Sequence, residues 1–148
     1  MQVEVCTFSI ESCLNAQKAG AQRVELCGGL YEGGTTPSYG LIKLARRLLS
    51  LKIYVMIRPR GGDFCYDTYE IETMKSDIET AKQLGADGVV FGILEPNGKV
   101  NIEVTKELVQ IAYPMGVTFH RAFDVTPDPF EALEAIIETG AERILTSG

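Results

Sequence analysis

No stretch of this sequence stays apolar for the ~20 residues that a membrane-spanning helix needs. The opening residues, Met1-Gln2-Val3-Glu4-Val5, lack the basic start and long apolar run of a secretory signal. The expectation is a cytoplasmic chain that begins directly with a strand, in a compartment where thiols stay reduced. Its four cysteines, Cys6, Cys13, Cys27 and Cys65, include no CxxC pair, which argues against both a structural zinc site and a disulfide framework. Cations are few and scattered: 14 Lys and Arg stand against 20 Asp and Glu, a formal charge of -6. The one short cluster, Lys43, Arg46 and Arg47, fits the solvated face of a helix. Nucleic acids and anionic membranes are recognised by clustered cations, so neither is expected as a partner. Linkers and low-complexity segments are also missing.

What the sequence does have is a repeat. Ala19-Gly20-Ala21, Leu84-Gly85-Ala86 and Thr139-Gly140-Ala141 each close a helical pattern with glycine, where a left-handed cap is wanted. Each leads at once into an apolar strand: Val24-Glu25-Leu26-Cys27, Val89-Val90-Phe91 and Ile144-Leu145-Thr146. Extending the pattern predicts strands near 3–6, 23–27, 53–58, 88–93, 117–121 and 143–147. Helices are predicted near 10–19, 40–50, 69–84, 101–112 and 129–139, the last with Asp128 as N-cap and Pro129 at its first position. Alternating strands and helices imply a parallel sheet, either a closed barrel or an open doubly wound sheet. The dinucleotide-binding version of the open sheet carries a glycine fingerprint after its first strand. Here Cys6-Thr7-Phe8-Ser9-Ile10 holds no glycine. The fold class expected is therefore α/β of the (β/α)8 TIM-barrel type. It is incomplete, with about six of the eight units of such a barrel, and forms a single partial domain over residues 1–148.

Strand side chains alternate, and the parity that faces the helices must be apolar. Val3 and Val5 take that side of the first strand, Val24 and Leu26 of the second. Ile53, Val55 and Ile57 take it in the third, Val117 and Phe119 in the fifth. The other parity turns Glu4, Cys6, Glu25, Cys27, Tyr54, Met56, Arg58, Thr118 and His120 toward the barrel axis. Buried carboxylates and a guanidinium are costly unless they pair or meet a ligand. In this architecture binding sites sit at the C-terminal strand ends. The fourth and sixth strands are too evenly apolar to orient in this way.

Three strand-to-helix loops leave that same end. They contain Glu32-Gly33-Gly34 with Thr36-Pro37-Ser38, Ile57-Arg58-Pro59-Arg60-Gly61-Gly62-Asp63-Phe64, and Thr118-Phe119-His120-Arg121-Ala122-Phe123-Asp124. Together with Val24-Glu25-Leu26-Cys27 and Leu145-Thr146-Ser147-Gly148, these segments resemble the CutC family. The resemblance runs over essentially the whole chain and implies a barrel protein of the cytoplasm linked to copper tolerance and Cu(I) binding. It implies Cys6 and Cys27, at the ends of the first two strands, as metal ligands; it carries no settled enzymatic reaction. Family members continue through two further strands and a glycine-rich segment beyond the last residue here.

Several expectations therefore stand side by side. In the first, Cu(I), a soft ion that prefers sulfur, binds Cys6 and Cys27, unless barrel stagger separates them or they are simply small buried hydrophobes. Met56 is then a third soft ligand or a core residue. In the second, the chain is an enzyme for a small anionic substrate, phosphorylated or carboxylate. Arg58, Arg60, Asp63 and Arg121 bind that substrate, and Glu25, His120 and Asp124 serve as acid or base. Against this, Glu25, Arg58 and His120 form no more than a satisfied polar network, and Asp63 no more than a cap on its Gly-Gly turn. In the third, the partial barrel is a fragment without function, its first and sixth strands left as open edges unless a homo-oligomer covers them. Cys13 is expected in the core, Cys65 as an exposed loop thiol, and Tyr31 and Tyr39 as loop packing residues.

Overall fold

A computed structural model describes residues 2–147. Six strands, β1 (Glu4–Thr7), β2 (Arg23–Leu26), β3 (Lys52–Met56), β4 (Gly88–Phe91), β5 (Gly116–Phe119) and β6 (Arg143–Ile144), alternate with five helices. The helices are α1 (Ile10–Lys18), α2 (Tyr39–Leu48), α3 (Thr68–Gln83), α4 (Ile102–Ala112) and α5 (Pro129–Thr139). All strand pairings are parallel, and the spatial order is the chain order, β1 to β6. Each crossover returns to the neighbouring position, so the sheet is singly wound and curls as six units of a TIM-type barrel. Short 3-10 turns occupy Leu30–Glu32 and Arg121–Val125, in the loops after β2 and β5.

The helices begin where their capping residues stand. Ser9, Ser38, Asp67, Asn101 and Asp128 each accept a hydrogen bond from a backbone N–H of the first turn, and Pro129 follows Asp128 as expected. Apart from β1, which runs on to Thr7, the strands are shorter at their C-terminal ends than the apolar pattern suggests. Single bonds carry the pairing onward: Ile57 N–H to Val90 O (2.8 Å), His120 N–H to Phe91 O (2.9 Å) and Leu145 N–H to Phe119 O (2.8 Å). Beyond them the chains diverge into the loops at the mouth.

The main core lies between the helices and the outer sheet face, and it contains Val24, Leu26, Ile53, Val55, Ile57, Val89, Phe91, Ile93 and Val117. That is the parity read from alternation, and it also orients β4, whose Gly88, Val90 and Gly92 turn inward. Inside the curl a smaller cluster holds Cys27, Tyr54, Met56 and Val90. The Tyr54 ring crosses the lower interior, where a Cβ on Gly88 or Gly116 would collide with it. Arg23 and Arg143 stack on that ring, 4.4 and 5.1 Å from its centroid. Arg23 also pairs with Glu4. The aromatic therefore anchors two cations that alternation alone leaves without a role.

Candidate functional site

The mouth of the curl is built first by β1 and β2. In register, Cys6 lies opposite Glu25, and Cys27 stands two residues further on, just past the end of β2, where its N–H still bonds to Thr7 O (2.9 Å). The stagger does not separate the thiols: their Sγ atoms are 3.8 Å apart, and Cys27 Sγ is 3.6 Å from Glu25 Oε1. Among the described residues, Cys6, Glu25 and Cys27 are the one group of three whose ligand atoms all lie within 4.8 Å of one another. Cys27 is buried, whereas Cys6 is exposed. The Cys27 S–H favours a thiolate on Cys6 and lowers the Cys6 pKa from its ordinary value. The Cys27 thiol is itself pushed up by that same bond, by burial and by Glu25. Burial, with Glu4 nearby, raises the Glu25 carboxyl from 4.5 to about 6. Cys6 thus ionises first, and a soft cation is well placed to replace the proton that Cys27 shares between a sulfur and a carboxylate.

Cys6 and Glu25 also line a cavity of 460 Å³ together with Met56, Arg58, Phe64, His120 and Arg121. Arg58 is buried, yet no carboxylate pairs with it. Its Nη1 donates to the carbonyls of Glu32 (2.7 Å) and Gly34 (3.0 Å), its Nη2 to that of Gly62 (2.8 Å), and its Nε has no partner. The guanidinium therefore ties together the loops after β2 and β3. The expected network of Glu25, Arg58 and His120 does not form as direct bonds, because the arginine spends its donors on backbone oxygens.

His120 Nδ1 accepts the N–H of Ala122 (3.2 Å), which leaves the ring proton on Nε2. That atom is buried without a partner. Burial and the nearby Arg58 cation lower the imidazole pKa to about 3. Gly92 makes room for the ring: a Cβ there would lie 2.6 Å from Nδ1.

Asp124 sits on the rim and is already engaged. It accepts the Thr146 hydroxyl (2.7 Å), the Ser147 N–H (3.1 Å) and Arg121 Nε (3.1 Å), and these bonds hold its pKa down to about 2. Arg60 and Asp63 do not line the cavity. Arg60 pairs with Glu70 (2.5 Å) and with Asp63 (3.1 Å), and Asp63 also caps the Cys65 N–H (3.2 Å). Cys13 is buried, as expected, and its thiol donates to Thr7 Oγ1 (3.2 Å). Cys65, expected on the surface, is half-buried against a second core cluster that includes Phe119 and Ala122. Tyr31 and Tyr39, expected to pack, are exposed: one projects from the 3-10 turn and the other from the first turn of α2, beneath Lys43.

Residues that the sequence reading passed over are Glu32, Phe64, Val125 and Leu145, all lining the cavity. Phe64 was open to inference, as an aromatic closing the Arg-Gly-Gly-Asp segment. Leu145 follows from alternation once β6 is oriented by Ile144 in the core. Glu32 and Val125 lie in turns whose path no periodicity reveals.

Among the described residues, no helix is long and apolar enough to cross a membrane. The CutC family model matches residues 1–148. A CutC family protein of Bacteroides fragilis is 60% identical over 146 residues, covering 98% of this chain and 58% of that protein. The Homo sapiens copper homeostasis protein cutC homolog is 53% identical over 146 residues, covering 99% and 54%. A crystal structure of the CutC protein of Streptococcus agalactiae superposes with a TM-score of 0.94 at 39% identity, covering 100% of this chain and 73% of that one. The chain thus spans somewhat more than half the length of the curated relatives it matches. On its sequence and its fold, the chain belongs to the CutC family.

Proposed function

We propose that this chain serves copper homeostasis in the cytoplasm by binding Cu(I) between Cys6 and Cys27, with Glu25 beside them. The observation that carries the reading is the 3.8 Å approach of two sulfurs from staggered positions on adjacent strands. Cys6 and Cys27 are offset by two residues, so strand spacing and rise put their Cα atoms about 8 Å apart. A disulfide wants no more than ~6.8 Å between Cα atoms. The geometry therefore brings the sulfurs together without favouring their oxidative closure, which suits two thiolates converging on a soft ion. The lowered Cys6 pKa supplies the first thiolate. Relatives named for copper homeostasis at 53% identity support the same reading.

The test is an anaerobic Cu(I) competition titration of this chain beside its Cys6→Ser/Cys27→Ser variant. One tight equivalent, lost in the variant, is expected. Weak binding that scales with the number of cysteines and persists in the variant would remove the proposal. A second reading, a site for a small anionic substrate, is favoured by one observation: Arg58 is a buried cation that, among the described residues, no carboxylate pairs with. Both readings use the same mouth, the first its β1–β2 side and the second its β3–β5 side.

A further inference from the structure

We propose that Arg58 Nε and His120 Nε2 are the paired donors of a binding site for a small monocarboxylate, with the Phe64 ring as its movable cover. The inference rests on the second reading above and deepens it by naming the donors, the ligand class and the gate.

Two N–H groups of the cavity wall, on neighbouring elements, are buried and unpartnered. Buried donors are ordinarily satisfied, and each orphan costs the desolvation of its group. Two in one wall, on side chains only 6% and 4% exposed, mark a place shaped for an acceptor that comes from outside. Their chemistry is complementary. Arg58 brings a permanent charge that no carboxylate offsets, while His120 brings a neutral donor whose tautomer is fixed by the Ala122 N–H. The imidazole is not poised as a general base, because protonation beside Arg58 is disfavoured. It is a hydrogen-bond donor of fixed direction.

Phe64 touches both. Arg58 lies over its ring at 5.0 Å from the centroid, and the His120 ring centroid is 4.9 Å from it. The phenylalanine follows Gly61 and Gly62, the latter at φ +85°, in the loop between β3 and α3. With the ring in place the two donors are shut off. Arg58 Nη2 holds the Gly62 carbonyl and the Leu94 N–H holds that of Phe64, so the opening toward the 460 Å³ cavity is a turn of the Phe64 side chain and leaves the backbone in place.

The ligand class follows from the rest of the wall. Glu25 and Glu32 also line the cavity, so a dianionic phosphate meets repulsion that a single carboxylate largely escapes. Met56, Val125 and Leu145 offer apolar surface to a short hydrocarbon body. One carboxylate oxygen for each donor, with the body against these three, matches the two unpartnered donors and the apolar part of the wall; the remaining cation, Arg121, is already paired with Asp124.

His120 is the sole histidine, so a chain labelled with 15N-histidine reports one imidazole. We would titrate the metal-free full chain with sodium butyrate and, separately, with inorganic phosphate. The His120 Nε2–H resonance and the melting temperature would both be followed. The expected result is a saturable shift of Nε2–H, larger than that of Nδ1, and thermal stabilisation by butyrate but not by phosphate. In Phe64→Ala the apparent butyrate affinity rises about threefold or more, because the cover no longer competes. Stabilisation by butyrate with His120 unmoved would overturn the donor pair and leave the anion reading standing. Equal saturation by phosphate would overturn the ligand class. Weaker binding in Phe64→Ala would overturn the cover. No response to either anion would overturn this inference and the anion reading together.

Discussion

Burial holds the His120 imidazole neutral. In the unfolded chain its pKa is near the ordinary 6.5, and in the fold it falls to about 3. Between these values the unfolded chain binds a proton that the folded chain refuses, so stability is full above pH 6.5 and is lost as pH falls toward 3. The slope is at most about 1.4 kcal/mol per pH unit. Glu25 works in the other direction. Its folded carboxyl is raised from 4.5 to about 6, so between those values the folded chain holds the extra proton and stability falls as pH rises. The two slopes oppose over pH 4.5–6, and the His120 contribution is best read as a difference between proteins. We predict that urea unfolding of the metal-free chain from pH 7 to 4 loses more stability than that of His120→Gln, with the gap widening as the pH drops. Parallel pH profiles for the two proteins would mean that His120 is not held neutral.

Among the elements, the segment from β3 into α3 has the most dependent parts. Glu70 closes the capping box of α3 with Asp67 and also holds Arg60, which in turn reaches the Cys65 carbonyl (2.8 Å). Glu70→Ala removes the box and the ion pair together and is predicted to cost about 1–2 kcal/mol in denaturant unfolding. Glu70→Gln keeps the reciprocal cap and is predicted to cost less than half of that. Equal losses would assign the stability to the ion pair instead. This segment also marks how far the sequence was legible. The glycine stops, the strand parity and the start of α5 at Asp128 and Pro129 are local signals, and they appear as read. The inward placement of Cys6, Glu25, Cys27, Arg58 and His120 followed from parity alone. What was not legible depends on loop paths. Arg60 is two residues from Arg58 and looked equivalent to it, yet one turns inward to three carbonyls and the other outward to Glu70. Nothing in the spacing of the loop distinguishes them, because the direction is set by contacts with Glu32 and Gly34 from a different loop. Tyr31 failed for the same reason: a 3-10 turn has too few residues to present a buried face.

At the scale of the molecule, β2 to β5 are each paired on both sides, whereas β1 and β6 have one neighbour each among the described residues. Hydrogen exchange is predicted to be slowest at Val55 and Val89 in the centre and faster by orders of magnitude along β1 and β6. If copies of the chain associate through these edges, protection there will rise with protein concentration. The thiol pair lies on this more open side, with Cys6 on β1 and Cys27 just past the end of β2, so the metal reading requires that β1 hold its register against β2. A bound ion that bridges the two strands would itself stabilise that pairing. The measurement closest to the central claim is X-ray absorption at the copper edge of the chain loaded with one equivalent of Cu(I). The account predicts a first shell of two sulfur neighbours, and their loss in Cys6→Ser/Cys27→Ser. A first shell of nitrogen and oxygen alone, or a sulfur shell unchanged in that variant, would contradict it.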